Sequence, residues 1–327
     1  MTTADTPQTQ TTKTPQPGTS PAGGGARKGA ARGPRALAWQ RRRASVARFW
    51  AEYRGHRAGV VGLVALVLFA LVALTAPWTV GSDVASVTDA PGRPLEGPSG
   101  RFPLGTDQFG RNLLGLVIWG SRVSLLVGLL AAVLSVAIGA VIGITAGHFR
   151  GWYATVMMRV TDWFLVMPTL VLAIALATVL SRSLGTVILA IGVTTWPTTA
   201  RLVRAQTLAV ESRPYIERAK ALGGGHWHIM SRHVLPNVMP LILAQTTLII
   251  SSAILSEATL AFLGLGDPTI VSWGGLLQDA REAGAVSSGD WWYLVPPGIA
   301  IAVVALAFTL CGRAVEAVLN PRLGVAR

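Results

Sequence analysis

The chain has 327 residues, of which 51% are hydrophobic and only 13% charged, with a mean hydropathy of +0.50. This balance excludes an ordinary soluble domain of that length and points to an integral membrane protein. A single cysteine, Cys311, excludes an internal disulfide and a cysteine-based zinc site, while the net charge of +13 suggests nucleic acid only until its distribution is read.

Residues 1–57 hold eleven Lys and Arg against two acids, so most of the excess belongs to one tail. That tail opens on Thr, Gln, Pro, Gly and Ser, with too few large apolar groups to offset the entropy of ordering them. It is expected to be a disordered, basic, cytoplasmic segment. Attraction to membrane lipid and orientation of the first helix account for its charge without nucleic acid. The first apolar run starts near Gly59, too late for the core of a secretory signal.

Crossing the hydrocarbon core takes about 20 apolar residues. Six runs qualify, near 58–79, 122–147, 155–180, 185–208, 236–265 and 292–313. The chain therefore reads as an all-α membrane protein with six transmembrane helices: a first span, an extracellular loop over 80–121, and a five-helix core over 122–313. A short tail over 314–327 closes it. Six spans place both termini on one side, and Arg41, Arg42, Arg43, Arg48, Arg54 and Arg57 assign that side to the cytoplasm. The loop over 209–237 then falls inside and is basic. The loops over 80–121 and 266–291 fall outside and are not.

Within the spans, Gly139, Gly143 and Gly147 repeat every four residues, which lets one helix face approach a neighbour closely. Pro168 and Pro197 each remove a backbone donor and can kink their helices, either to shape a pathway or for structure alone. Arg159 and Asp162 lie three apart on one face and are expected to neutralise each other. Glu257 is the one acid well inside a span, where burial is costly, and it is a candidate either for the pathway or for hydrogen bonding between helices.

The loop "ERAKALGGGHWHIMSRHVLPN", Glu217 to Asn237, is polar, basic and broken by glycine. Pro214 suits a first helical turn and Gly223 a left-handed helix stop, so a short helix is predicted before the glycines. Gly223, Gly224 and Gly225 permit a change of direction, and a second helix is expected from His226 that stops before Pro236. Ile216, Ala219, Ala221 and Leu222 give the first helix a small apolar surface suited to a protein partner. His226, His228 and His233 do not share a face and are not expected to form a metal site.

The elements Glu217-Arg218-Ala219, Gly223 and Leu235-Pro236 resemble the EAA loop of ABC importer permeases, with Arg218 in place of the first alanine of the usual pair. "FPLGTDQFGRNLLGLVIWGSRVSLLVGLL" from Phe102, "MRVTDWFLVMPTLVLAIAL" from Met158, "SEATLAFLGLG" from Ser256, "SWGGLLQDAR" from Ser272 and "NPRLG" from Asn320 are similar to the dipeptide and oligopeptide importer permeases of the C-subunit type.

The resemblance implies the type I ABC importer permease fold, with Glu217, Arg218, Ala219, Leu222, Gly223, Leu235 and Pro236 serving ATPase coupling. It implies a second permease subunit, two ATPase subunits and an extracellular substrate-binding protein as partners, and peptides as cargo. ATP and Mg would be bound by the ATPase subunits and not by this chain: Lys13, Lys28 and Lys220 are its only lysines, and none follows the glycine of a phosphate loop. No catalytic set is apparent. The alternative, a stand-alone secondary transporter or channel, would need an inverted repeat or several intramembrane charges.

Overall fold

A computed structural model describes residues 47–319. The tail over 1–46 and the last residues, 320–327, with the "NPRLG" segment, lie outside the described residues. Within them the chain is helical, and β pairing is limited to one isolated bridge between Thr106 and Asn112. Among the described residues five helices are long and apolar enough to cross a membrane, and a bent pair of helices makes six when it is counted as one span.

The described part of the basic tail is not disordered. Residues 47–55 form a helix, α1. Its Tyr53 is buried, and the Tyr53 hydroxyl donates to the Gly59 carbonyl at 2.9 Å. The bulky aromatic that composition counts as a minority is enough to dock this turn on the start of α2 (Arg57–Thr79). Helix α2 packs on α12 (Trp291–Leu319), and its opposite side, with Val64, Leu68 and Leu71, stays exposed.

Helix α3 (Leu113–His148) starts earlier than its apolar run, because Asn112 Oδ1 caps it by accepting from the Leu114 N–H at 3.1 Å. Its glycine stripe meets α6 (Leu184–Glu211), the most extensive helix contact of the fold. A Cβ on Gly139 would lie 2.7 Å from the Trp196 carbonyl, and one on Gly147 would lie 2.6 Å from Thr207 Cβ. The close approach expected of the stripe is what the structure shows. Pro197 is accommodated inside α6 without breaking it.

Pro168 does far more than kink its span. Helices α4 (Trp152–Val166) and α5 (Thr169–Val179) meet there at 91°. The residue before a proline is driven out of the α region, and Met167 is extended with ψ 135°, so the chain turns a corner in two residues. The pair still crosses the bundle. Trp152 follows the end of α3 directly, and the start of α6 lies beside Asp267 at the opposite end.

That opposite end is capped by structure where loops were expected. Thr106 Oγ1 donates to the Arg93 carbonyl at 2.6 Å, and Arg111 pairs with Asp107 at 2.6 Å and with Asp279 at 3.9 Å. Asp279 sits on α10 (Trp273–Glu282), with a further turn, α11 (Ala285–Ser288), leading into α12. Ser272 caps α10 by accepting from the Gly275 N–H at 3.2 Å. Trp273 is fully buried, and its indole N–H donates to the Val117 carbonyl at 2.8 Å, which pins α10 to α3.

At the end shared by α3 and α6, the connecting loop forms α7 (Pro214–Ala221) and α8 (His226–Ile229). The second helix does not stop before Pro236. α8, a π turn over Met230–Val234 and α9 (Leu235–Phe262) run on as one 37-residue helix. Proline lacks an N–H and its ring collides with the carbonyl four residues back, and a widened turn removes that collision. The Leu235 N–H accordingly reaches five residues back, to the Met230 carbonyl.

Candidate coupling site

The glycines after α7 form a complete left-handed helix stop. Gly223 has φ +83°, its N–H donates to the Lys220 carbonyl at 3.0 Å, and the Gly224 N–H donates to the Ala219 carbonyl at 2.9 Å. This is the paired bonding that satisfies the last carbonyls of a helix and reverses the chain. The turn leaves Leu222 89% exposed, with Trp227 on the next helix 78% exposed.

The apolar surface expected of α7 is thus divided. Ile216 is fully buried and faces the core with Ile229 and Val234, Ala219 is half-buried, and Ala221 and Leu222 point away from the bundle. Glu217 and Arg218 are exposed. Leu235 packs against the core, and Pro236 is exposed beyond the π turn. Glu217, Arg218, Leu222 and Gly223 therefore share an exposed element, while Leu235 secures its far anchor.

Lys220 pairs at 2.5 Å with Glu211, the last residue of α6, whose side chain is 3% exposed. Glu211 also meets His148 Nδ1 at 2.6 Å, and His148 Nε2 lies 2.9 Å from His226 Nδ1. Four residues from four helices join here, and no short-range spacing announces them. The available signal was that His148 and Glu211 each close an apolar run at the same end.

Asp162 pairs with Arg201 of α6 at 2.6 Å rather than with Arg159, which corrects the pairing expected on one helix face. Glu257 is buried between α9, α3 and α10, beside the hydroxyls of Ser124 and Ser272, and its Oε2 has no partner. A separate cavity of about 410 Å³ opens at the corner between α4 and α5. Apolar side chains such as Phe164, Leu170, Ile191 and Leu248 make most of its wall, and Thr169, Thr194, Thr195, Thr198, Ser252 and Ser256 line the rest. Sequence reading singled out none of these, since single Ser and Thr residues are ordinary in membrane helices.

The stretch of chain that carries most of this bundle is matched by a family model. Residues 139–325 match the model of the binding-protein-dependent transport system inner membrane component. The chain belongs to that family. Residues 46–98 match a second model, the N-terminal transmembrane domain of oligopeptide transport permease C. A Brucella abortus protein named as a peptide transport system permease is 40% identical over 270 residues, 82% of this chain and 89% of its own. The di/tripeptide transport system permease protein DppC of Pseudomonas aeruginosa is 36% identical over 280 residues, 84% of this chain and 91% of its own. The glutathione transport system permease protein GsiD of Pectobacterium atrosepticum is 33% identical over 277 residues, 84% and 90% of the two chains. As a member, this chain has the type I ABC importer permease fold and is a permease subunit of a binding-protein-dependent transport system, a multi-pass inner membrane protein.

Proposed function

We propose that this permease forms, with a second permease subunit, the pathway of an ATP-driven importer of peptides, and that α7 is the element through which two ATPase subunits move it. The observation that carries the reading is Leu222, 89% exposed at the tip of a short helix held between α6 and α9, with Trp227 exposed on the next helix. An exposed leucine and tryptophan at the end of a membrane bundle, rimmed by Glu217 and Arg218, suit a protein cleft better than water. A helix so held moves its two spans when a bound partner moves it. ATP and Mg then act through the ATPase subunits.

The same reading orients the chain, with α7 and both ends of the described chain in the cytoplasm and α10 outside, where an extracellular binding protein would deliver cargo. The cavity at the α4–α5 corner is this chain's share of the path, its apolar wall suited to peptide side chains and the hydroxyls of Thr169, Thr198 and Ser256 to main-chain groups. Peptides are favoured over other cargo by the names of the relatives, which include both di/tripeptide and glutathione systems.

The test is a detergent pull-down of this chain expressed with its native neighbours, comparing wild type with Leu222→Arg and Glu217→Arg at equal membrane level. ATPase subunits are expected with wild type and lost from the variants. Capture of no ATPase by wild type would overturn the reading in favour of a self-sufficient transporter.

A further inference from the structure

Helix α7 joins its neighbours through two short links. On one side are Ser212 and Arg213, whose N–H groups donate to the Leu208 and Val210 carbonyls, and on the other is the glycine turn from Gly223 to Gly225. Of its own residues only Ile216 is buried. Pushed at its tip, a helix held by these links and Ile216 alone would spend part of the motion in the links.

What prevents this is polar. Glu211 offers both carboxylate oxygens: Oε1 accepts from His148 Nδ1–H at 2.6 Å and Oε2 accepts from Lys220 Nζ at 2.5 Å. Donation to a carboxylate places a proton on His148 Nδ1, so Nε2 meets His226 Nδ1 at 2.9 Å as the second bond of the ring. The His148 and Glu211 side chains are 2% and 3% exposed, and Phe149 lies against both imidazoles, its ring 5.0 Å from that of His148 and 5.3 Å from that of His226. A carboxylate so enclosed is held in place by its partners, because leaving either oxygen unpaired is costly. His148 ends α3, Glu211 ends α6, Lys220 lies on α7 and His226 opens α8.

We infer that the chain Lys220–Glu211–His148–His226 is a clasp that makes α7 move as one body with the ends of α3 and α6, with Glu211 and His148 as positioning residues for the coupling motion. This rests on the proposal that α7 receives the ATPase. Because α3 and α6 share the closest helix packing of the fold, a push on α7 is thereby delivered to the centre of the bundle and is not absorbed in Ser212–Arg213 and the glycines.

The experiment uses the assembled transporter with spin labels at Tyr215 on α7 and Leu189 near the far end of α6, both exposed, after Cys311→Ser. In wild type the distance between labels should be the same with and without trapped nucleotide. In Lys220→Met, whose substitution touches a half-exposed side chain and leaves the buried pair intact, nucleotide should shift and broaden it. Glu211→Gln should do the same, and Lys220→Arg should restore the fixed distance, which a general loss of stability would not predict. Equal behaviour of wild type and Lys220→Met would overturn the clasp. ATPase capture is scored in the same samples. If wild type captures none, the coupling reading fails and the clasp's role with it; if it captures them and the distances agree, the clasp alone fails.

Discussion

Gly143 and Ala200 bring two membrane helices into backbone contact: a Cβ at 143 would lie 2.7 Å from the Ala200 carbonyl oxygen and 2.7 Å from Val203 Cβ. No rotamer relieves such a clash, because backbone is among the atoms in the way. Gly143→Val should cost about 1 to 3 kcal/mol, the usual range for overpacking a tight core. The thermal midpoint of the purified chain in detergent should fall, and Ala140→Val, at a partly exposed position of the same helix, should move it less.

Gly223 and Gly225 look alike in sequence and differ in geometry. Gly223 has φ +83°, whereas Gly225 has φ −69°, and neither has a neighbour within 4 Å. Gly223→Ala should cost roughly 1 to 2 kcal/mol through the left-handed backbone alone and weaken ATPase capture, while Gly225→Ala should be neutral. The pull-down described above distinguishes them.

Ser252 is exposed on the wall of the cavity of about 410 Å³. Ser252→Trp should fill much of it. Uptake of a labelled dipeptide by proteoliposomes holding the full assembly should be lost while ATPase capture stays at the wild-type level, since α7 is untouched.

Burial pushes the Asp279 carboxyl from its ordinary 3.8 up to about 6; Arg111 pulls it down, and Asp107 and Glu282 push it up. The folded state then holds a proton that the unfolded chain has released between these values. Stability from this site is therefore present below the unfolded value and is lost as pH rises through about 6. The thermal midpoint should decline from about pH 4 to about pH 7 in wild type, and Asp279→Asn should flatten that part of the decline.

The Ser124 and Ser272 hydroxyls donate to Glu257, while their oxygens accept from the Trp273 and Gly275 N–H groups. Glu257→Leu should leave Ser124 and Ser272 short of an acceptor at a cost of about 1 to 3 kcal/mol, read as a lower midpoint. Glu257→Gln keeps an acceptor oxygen and should lose less.

Much of this architecture was legible because it is periodic or punctuated. The apolar runs located the spans, the glycine stripe located the α3–α6 contact, and Pro214 and Gly223 bounded α7. Other features needed the third dimension. Pro168 announced a kink but not 91°, because nothing local says whether neighbours will straighten or keep a pre-proline break. "SWGGLLQDAR" read as loop, since its two glycines hide a helix that Ser272 caps and Trp273 anchors. Asp162 had a partner three residues away and took one from another helix. The clasp joins positions 148 and 211, a separation that no local pattern encodes.

The π turn over Met230–Val234 has a consequence for chain length. Each residue of an α-helix advances about 100° around the axis, so the extra residue that widens this turn sets the phase between α8 and the membrane part of α9. Removing one residue there would leave an unbroken helix whose two halves no longer agree in direction. Ser251, bonded to the Ala305 carbonyl at 2.7 Å, and Glu257 would hold the upper half in place. The glycine corner and Trp227 would then leave the bundle on a different bearing. The count of residues in this segment, more than their identity, aims the loop.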